Sequence, residues 1–324
     1  MAPETVALVI EDARRLFDPV AGMEITLEAN PTSVERGRLA GFRDAGVNRV
    51  SLGVQSLSGE ALRFLGREHS AGEAVRALEV AREMFARVSF DLIYARPGQD
   101  RAGWRAELGS ALALCADHLS LYQLTIEPGT AFEALHRGGG ILLPEDDLAA
   151  DLYRDTIEAC GVHGLLPYEV SNFARPGGES RHNLAYWRYQ DYAGIGAGAH
   201  GRVTLGAVGG GGLFATRRHR APEVWADRVE REGHGSHADL RLSAGERVRE
   251  MVLMGLRLSE GIDPRRVEAR SGVAFGDAVS AGVLAQAVEA GYLTVSPERV
   301  VATLEGRLRL DALLAALLEE EVGG

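Results

Sequence analysis

Apolar residues along the first half of the chain fall into two alternating spacings. Val6, Leu8, Val9, Ala13 and Leu16 lie on one side of an amphipathic helix predicted over 4–17. A strand over 23–28 follows and is stopped by Asn30-Pro31. Ser33 then caps a helix that ends at Gly46. Further strands are predicted over 49–54, 88–94, 119–126 and 165–171. Helices near 58–66, 70–85, 101–115, 130–136 and 144–160 separate them. Strands alternating with helices imply parallel βαβ units.

Active sites in such sheets and barrels gather at the carboxyl ends of the strands. Glu28 ends one strand and Gln55 the next, and Asp91 stands inside SFDLIY. A charge within a buried strand is expensive without a partner or a ligand. Three such residues toward one end of consecutive strands point to a ligand site. Arg67, in the turn LGREH, either brings a cation to the same mouth or is a solvated surface arginine.

The stretch from Tyr168 to Arg202 is the most unusual in composition. His182 and Asn183 are followed by Tyr186, Trp187, Tyr189 and Tyr192, and small residues run from Gly194 to Gly201. An imidazole, flat aromatic rings and glycines that admit a close backbone suit a large planar ligand. Haem is one, because its iron takes a neutral imidazole as axial ligand. The alternative is a buried histidine in an aromatic mini-core. Gly196 to Gly201 satisfies G-x-G-x-x-G, but it neither follows a strand nor opens a helix, so a dinucleotide site is not expected.

Beyond Gly201 the pattern changes. Residues 202–242 hold a tetraglycine, Gly209 to Gly212, then RRHR at 217–220, and His234 and His237, which read as surface residues. This segment is expected to be a glycine-rich connection. Helices are predicted at 243–258, 264–270 and 276–290, then a hairpin in YLTVSPERVVATL and a last helix over 306–320. Three helices with a small β-wing resemble a winged helix.

Composition narrows the function classes. The net charge of −11 argues against a nucleic-acid partner. No apolar run approaches the roughly 20 residues of a membrane helix, and the protein is expected to be cytoplasmic. All 35 basic residues are arginine, which removes lysine Schiff-base and P-loop chemistry. Cys115 and Cys160 lie in apolar helical context and read as inert buried thiols, neither a disulfide framework nor a metal motif.

With these residues laid out, the sequence resembles the oxygen-independent coproporphyrinogen oxidase-like family of radical S-adenosylmethionine (SAM) proteins, and within it the HemW-type haem chaperones. The matching segments are EITLEANP (24–31), NRVSLGVQS (48–56), LGREH (65–69), DLIYARPGQD (91–100), LSLYQLTIEPGT (119–130), YEVSNFARPGGESRHNLAYW (168–187), GIGAGAHGR (194–202) and MGLRLSEGID (254–263). HNLAYW decides the subfamily.

The resemblance implies an α/β fold, a partial TIM-like radical SAM barrel over 1–201 with a helical C-terminal domain over 243–324. It implies that Glu28, Gln55, Arg67 and Asp91 contact SAM. It makes His182 the candidate haem ligand, with Asn183, Tyr186 and Trp187 beside it. It implies haem, SAM and a [4Fe-4S] cluster as bound groups and haem-receiving respiratory enzymes as partners, reached in the cytoplasm or by peripheral association with a membrane. The alternatives are a coproporphyrinogen oxidase acting by radical decarboxylation, or a cluster-free member of the family.

Two departures stand out. The family's C-x-x-x-C-x-x-C cluster motif and its G-G-T-P segment do not occur in this sequence. The expectation is that the first two barrel strands lie outside the chain, through a late start codon or a gene fragment, and that the chain as written is inactive as an enzyme. Ala95-Arg96 stands where the family usually has Gly-Leu.

Overall fold

The computed structural model describes residues 1–206 and 211–318. Gly209 and Gly210 of the tetraglycine and the end of the last predicted helix, 319–320, lie outside the described residues. The chain divides into two compact units, which meet between Ser180 and Arg181. That division falls ahead of the expected one at 201, so the HNLAYW segment belongs with the C-terminal unit.

The first unit contains α1 (Pro3–Leu16), β1 (Thr26–Ala29), α2 (Arg36–Asp44), β2 (Arg49–Gln55), α3 (Gly59–Phe64), α4 (Ala71–Met84) and β3 (Arg87–Tyr94). It continues with α5 (Arg101–Leu114), β4 (His118–Gln123), α6 (Ala131–Arg137), α7 (Asp146–Val162), β5 (Leu166–Pro167) and β6 (Asn172–Ala174). The six strands form one sheet in the order β1-β2-β3-β4-β6-β5. β1 to β4 are parallel, as the βαβ pattern implies.

Two expectations change here. Ser33 does not cap α2: it lies in a short 3₁₀ turn, where its hydroxyl donates to the Asn30 carbonyl at 2.8 Å, and Glu35 is the N-cap residue. The strand expected over 165–171 is two short strands, β5 and β6, joined as a hairpin, and β6 runs antiparallel to β4. The buried Glu169 carboxylate accepts from Ser171 N at 2.9 Å and Asn172 Nδ2 at 2.5 Å and so turns the chain between them. A link this short permits only antiparallel neighbours.

The two faces of this sheet differ in chemistry. Val50, Leu52, Val54, Val88, Phe90, Leu92, Leu119, Leu121 and Phe173 are all buried on one face. The apolar stripes of the helices cover it: Ala77 and Leu78 of α4, Trp104 and Leu108 of α5, Leu152 of α7. Tyr94 stacks on Trp104 at 4.6 Å, and Trp104 Nε1 donates to Thr156 Oγ1 at 2.9 Å. Burying each leucine there contributes about 2 kcal/mol. By strand alternation the opposite face carries Arg49, Ser51 and Gln55 of β2, Ser89 and Asp91 of β3, His118 and Ser120 of β4, and Asn172 of β6. A sheet face so polar is a site or a plug rather than a core.

The second unit opens with α8 (Arg181–Trp187). The segment expected to be a connection is ordered structure where it is described. β7 (His200–Leu205), β8 (Gly212–Arg217) and β9 (Leu240–Arg241) form an antiparallel sheet, with α9 (Pro222–Glu232) between β8 and β9. Val203, Leu205, Leu213 and Phe214 supply the strand pattern that the glycines obscure.

The C-terminal helices are α10 (Ala244–Gly255), α11 (Pro264–Ser271), α12 (Phe275–Ala278) and α13 (Ala281–Glu289). The helix predicted over 276–290 is broken because Ser280 caps α13 through its hydroxyl. A hairpin of β10 (Leu293–Val295) and β11 (Val300–Ala302) leads into α14 (Leu304–Arg307) and α15 (Leu310–Leu318).

Candidate functional site

Gln55 and Asp91 of the strands and Arg67 of the LGREH turn are linked in the first unit. Gln55 ends β2 in the left-handed region, with φ +67°, at a shift in the register between β2 and β3. Its Nε2 donates to Asp91 Oδ2 at 2.6 Å, and its Oε1 accepts from Arg67 Nη2 at 3.1 Å. The turn that carries Arg67 is fixed from both sides. Arg67 N donates to Leu62 O at 2.8 Å, and the buried His69 ring bonds Val54 O at 3.0 Å.

Asp91 Oδ1 is buried and makes no well-formed hydrogen bond. Burial pushes the Asp91 carboxyl up to about 6, against the opposing pull of Gln55, the nearby backbone and the Arg67 charge. Glu28 shares this face, in register with Ser51, but it is exposed and bonds to no described residue. Sequence reading missed the row beside Asp91. Ser120 is in register with Asp91 and donates to Asn172 Oδ1 at 2.6 Å. An acid, an amide and a guanidinium in series can hold a ligand that carries both an amine and polar oxygens.

The amino ends of the strands are closed. Arg49 Nη1 lies 3.2 Å from Glu24, and Arg87 Nη2 donates to Gly178 O at 2.7 Å. His118 bonds the Tyr168 hydroxyl at 2.9 Å. This end is a plug of mutually bonded side chains.

In the second unit the HNLAYW residues form α8. Residues four apart share a helix face, so His182 and Tyr186 stand together, ring centroids 4.5 Å apart. Tyr186 in turn packs against Tyr192, ring centroids 4.2 Å apart and planes tilted by 35°. His182 is exposed, so the buried mini-core reading does not hold for it. Trp187 points elsewhere: the Arg257 guanidinium lies over its ring at 4.8 Å, and it shares a small cleft with Met251, Ile262 and Arg266. Arg188 pairs with both oxygens of Glu260 at 2.8 Å, and Arg202 with Glu250 at 2.6 Å. Asn183 is half-buried on the Trp187 side of α8. The exposed edge of α8 thus presents the His182 imidazole and the Tyr186 ring, with Tyr192 of the following segment against Tyr186, and Arg188 just past the helix is tied to the turn after α10.

The Radical SAM superfamily pattern matches residues 1–106, and the HemN C-terminal domain pattern matches residues 242–309. The chain is 41% identical to the mitochondrial radical SAM domain-containing protein 1 of Mus musculus, over 98% of this chain and 73% of that one. It is 36% identical to the heme chaperone HemW of Escherichia coli, over 96% of this chain and 79% of that one. The chain belongs to the HemW family of radical SAM proteins. The Escherichia coli coproporphyrinogen III oxidase HemN has the same fold, with a TM-score of 0.76 over 98% of this chain and 74% of that one, at 22% identity.

HemW-family membership implies SAM and an iron–sulfur cluster. The Arg67–Gln55–Asp91 series, with its orphan buried oxygen, fits a zwitterionic ligand such as SAM. The two cysteines do not fit a cluster. Burial pushes the Cys115 thiol up to about 11 and the Cys160 thiol up to about 12, whereas cluster ligands are thiolates. Among the described residues no helix is long and apolar enough to cross a membrane.

Proposed function

We propose that this protein is a haem-carrying chaperone of the HemW type, holding haem at the His182–Tyr186 edge of α8 and passing it to haem-receiving respiratory enzymes. The exposed His182 ring packed at a tilt against Tyr186, itself packed at a tilt against Tyr192, carries this reading. A neutral imidazole is the axial ligand that haem iron accepts, and flat rings provide apolar area beside it. Tyr186 serves as ring contact. Asn183 and Trp187 hold α8 in place on the opposite side.

The same reading gives Glu28, Gln55, Arg67 and Asp91 to SAM. Arg67 would meet its carboxylate, and Asp91 and Glu28 its cationic or hydroxyl groups. No nucleic-acid partner belongs to it, and it includes a cytoplasmic location. When bound, SAM and its cluster would supply radical chemistry.

The test is a haem titration followed by Soret absorbance. His182→Ala should weaken binding and shift the band while leaving the melting temperature near that of the wild type, because His182 is exposed. An unchanged spectrum and affinity would remove His182 as the ligand.

A further inference from the structure

Haem is flat and apolar in its centre but carries two carboxylate arms, so a site that holds the ring also needs cations. The chain has 46 acidic residues against 35 arginines. Most arginines near the α8 edge are already neutralised: Arg202 by Glu250, Arg188 by Glu260 and Arg270 by Asp191. The RRHR segment at 217–220 differs. Arg217 and Arg220 are exposed, and neither guanidinium has a hydrogen-bond or ion-pair partner among the described residues.

Strand register places Arg217 beside the aromatic edge. Tyr192 bridges Arg202 in an antiparallel pair, their backbone groups bonding at 2.7 and 2.9 Å. His200 stands two residues from Arg202 on β7, and it is paired with Arg217 on β8. Paired residues and residues two apart share a face, so Tyr192, His200 and Arg217 line one side. The glycine loop joins the same corner. Gly198 N donates to His219 O at 2.8 Å, Arg218 N donates to Ala199 O at 2.8 Å, and a Cβ at Gly198 would lie 3.8 Å from Arg220 Cγ. The order on this side is therefore imidazole, ring, ring, then His200 and the Arg217 guanidinium.

We propose that Arg217, with Arg220 next to it, binds the carboxylate arms of the tetrapyrrole whose ring rests on Tyr186 and Tyr192. This rests on the haem-carrying reading and adds to it a second set of contacts on β8, remote in sequence from HNLAYW. A guanidinium offers a planar fork to each carboxylate. Tyr192 joins Tyr186 as a ring contact. The preferred cargo is a dicarboxylate tetrapyrrole, and one without carboxylates is held poorly.

The experiment titrates the full chain with haemin and with haemin dimethyl ester, followed by Soret absorbance. Wild type should bind haemin about tenfold or more tightly than the ester, the size of one or two charge-assisted hydrogen bonds. Arg217→Gln should lower haemin affinity about tenfold and leave the ester unchanged, and Arg217→Gln/Arg220→Gln should abolish the preference. Arg217→Lys should keep part of it. Arg228→Gln, on α9 and paired with Glu232, is the control and should change nothing. Equal affinity of wild type for both compounds, or full haemin affinity in the double variant, overturns the proposal while His182-dependent binding stands. Failure of wild type to take up haemin at all overturns both.

Discussion

Gln55 Nε2 donates to Asp91 Oδ2 at 2.6 Å while its Oε1 accepts from Arg67, so the acid and the guanidinium are joined through an amide rather than directly. An intervening amide leaves each charge only partly neutralised. Asp91 consequently stays costly to ionise in its buried setting, with its carboxyl raised to about 6. A site that waits for a charged ligand has this character.

Asp91→Asn should therefore stabilise the protein. A folded-state carboxyl raised above its unfolded value contributes stability that is present at low pH and is lost as pH rises toward 6. At pH 7 the ionised acid costs the fold about 3 kcal/mol, and asparagine can still accept from Gln55. Urea unfolding at pH 7 should show a gain of roughly 1–3 kcal/mol. It should shrink to nothing near pH 4, and SAM binding should weaken. A loss of stability at pH 7 would mean that Asp91 is satisfied in the folded protein.

Arg96, the residue that departs from the family's usual leucine, has partners of its own. It is buried and bonds Glu107, Ser56 Oγ at 2.8 Å and Ile93 O at 3.0 Å, while Ser56 Oγ also bonds Glu107. Arg96→Leu strands a buried carboxylate and should cost about 3–5 kcal/mol. Arg96→Leu/Glu107→Leu removes both charges and should recover most of that loss. A double variant no more stable than the single one would show that the pair does not act as a unit.

Ala95 precedes it with φ +55°, a left-handed conformation that glycine adopts without strain. Ala95→Gly should raise stability by about 1 kcal/mol in thermal melts, because a left-handed alanine is strained. The size of the gain is the check: none at all would mean that the surrounding loop relaxes to suit alanine.

Much of this was legible in the chain. The parallel β1 to β4 and their helices follow from apolar spacing, and Gln55 and Asp91 from polar residues out of place on strands; Arg67, in its turn, reads equally as a surface arginine from sequence alone. Glu28 was read in the same way and shares the face, but it makes no contact with the others. The β5–β6 hairpin escaped because the turn is made by Glu169, a buried side chain acting on backbone that local propensity does not see. β7 and β8 escaped because glycines interrupt their pattern. The Tyr192 and Arg217 contacts depend on register between segments far apart in sequence, which no local spacing encodes. The family resemblance places Asn183 and Trp187 beside His182, and helix geometry sets them on another face of α8 from His182 and Tyr186.

That geometry separates two roles within HNLAYW. Trp187→Ala empties a cleft beside Met251 and Ile262 and removes the ring under Arg257, and should cost about 3 kcal/mol. Tyr186→Ala removes a half-exposed ring and should cost less than about 1.5 kcal/mol while weakening haem binding more. Paired melts and Soret titrations separate the two. The opposite ranking would make Trp187 the ring contact.

His118 is one buried group whose protonation weakens the fold in acid. Its ring is buried beside Tyr168, and burial pushes it down to about 3, helped by the Arg49 and Arg87 charges. A histidine held neutral in the fold contributes stability that is complete above its unfolded value near 6.5 and is lost as pH falls toward 3. Asp91 works in the opposite sense between 6 and 4, so the two nearly cancel in that window and the net loss concentrates below pH 4. His118→Gln cannot be protonated and still can bond the Tyr168 hydroxyl. It should cost about 1 kcal/mol at pH 7 and remove the steep loss at low pH. The variant should outlast wild type below pH 4 in circular-dichroism titrations, and an unchanged acid limb would place the acid sensitivity on another buried group.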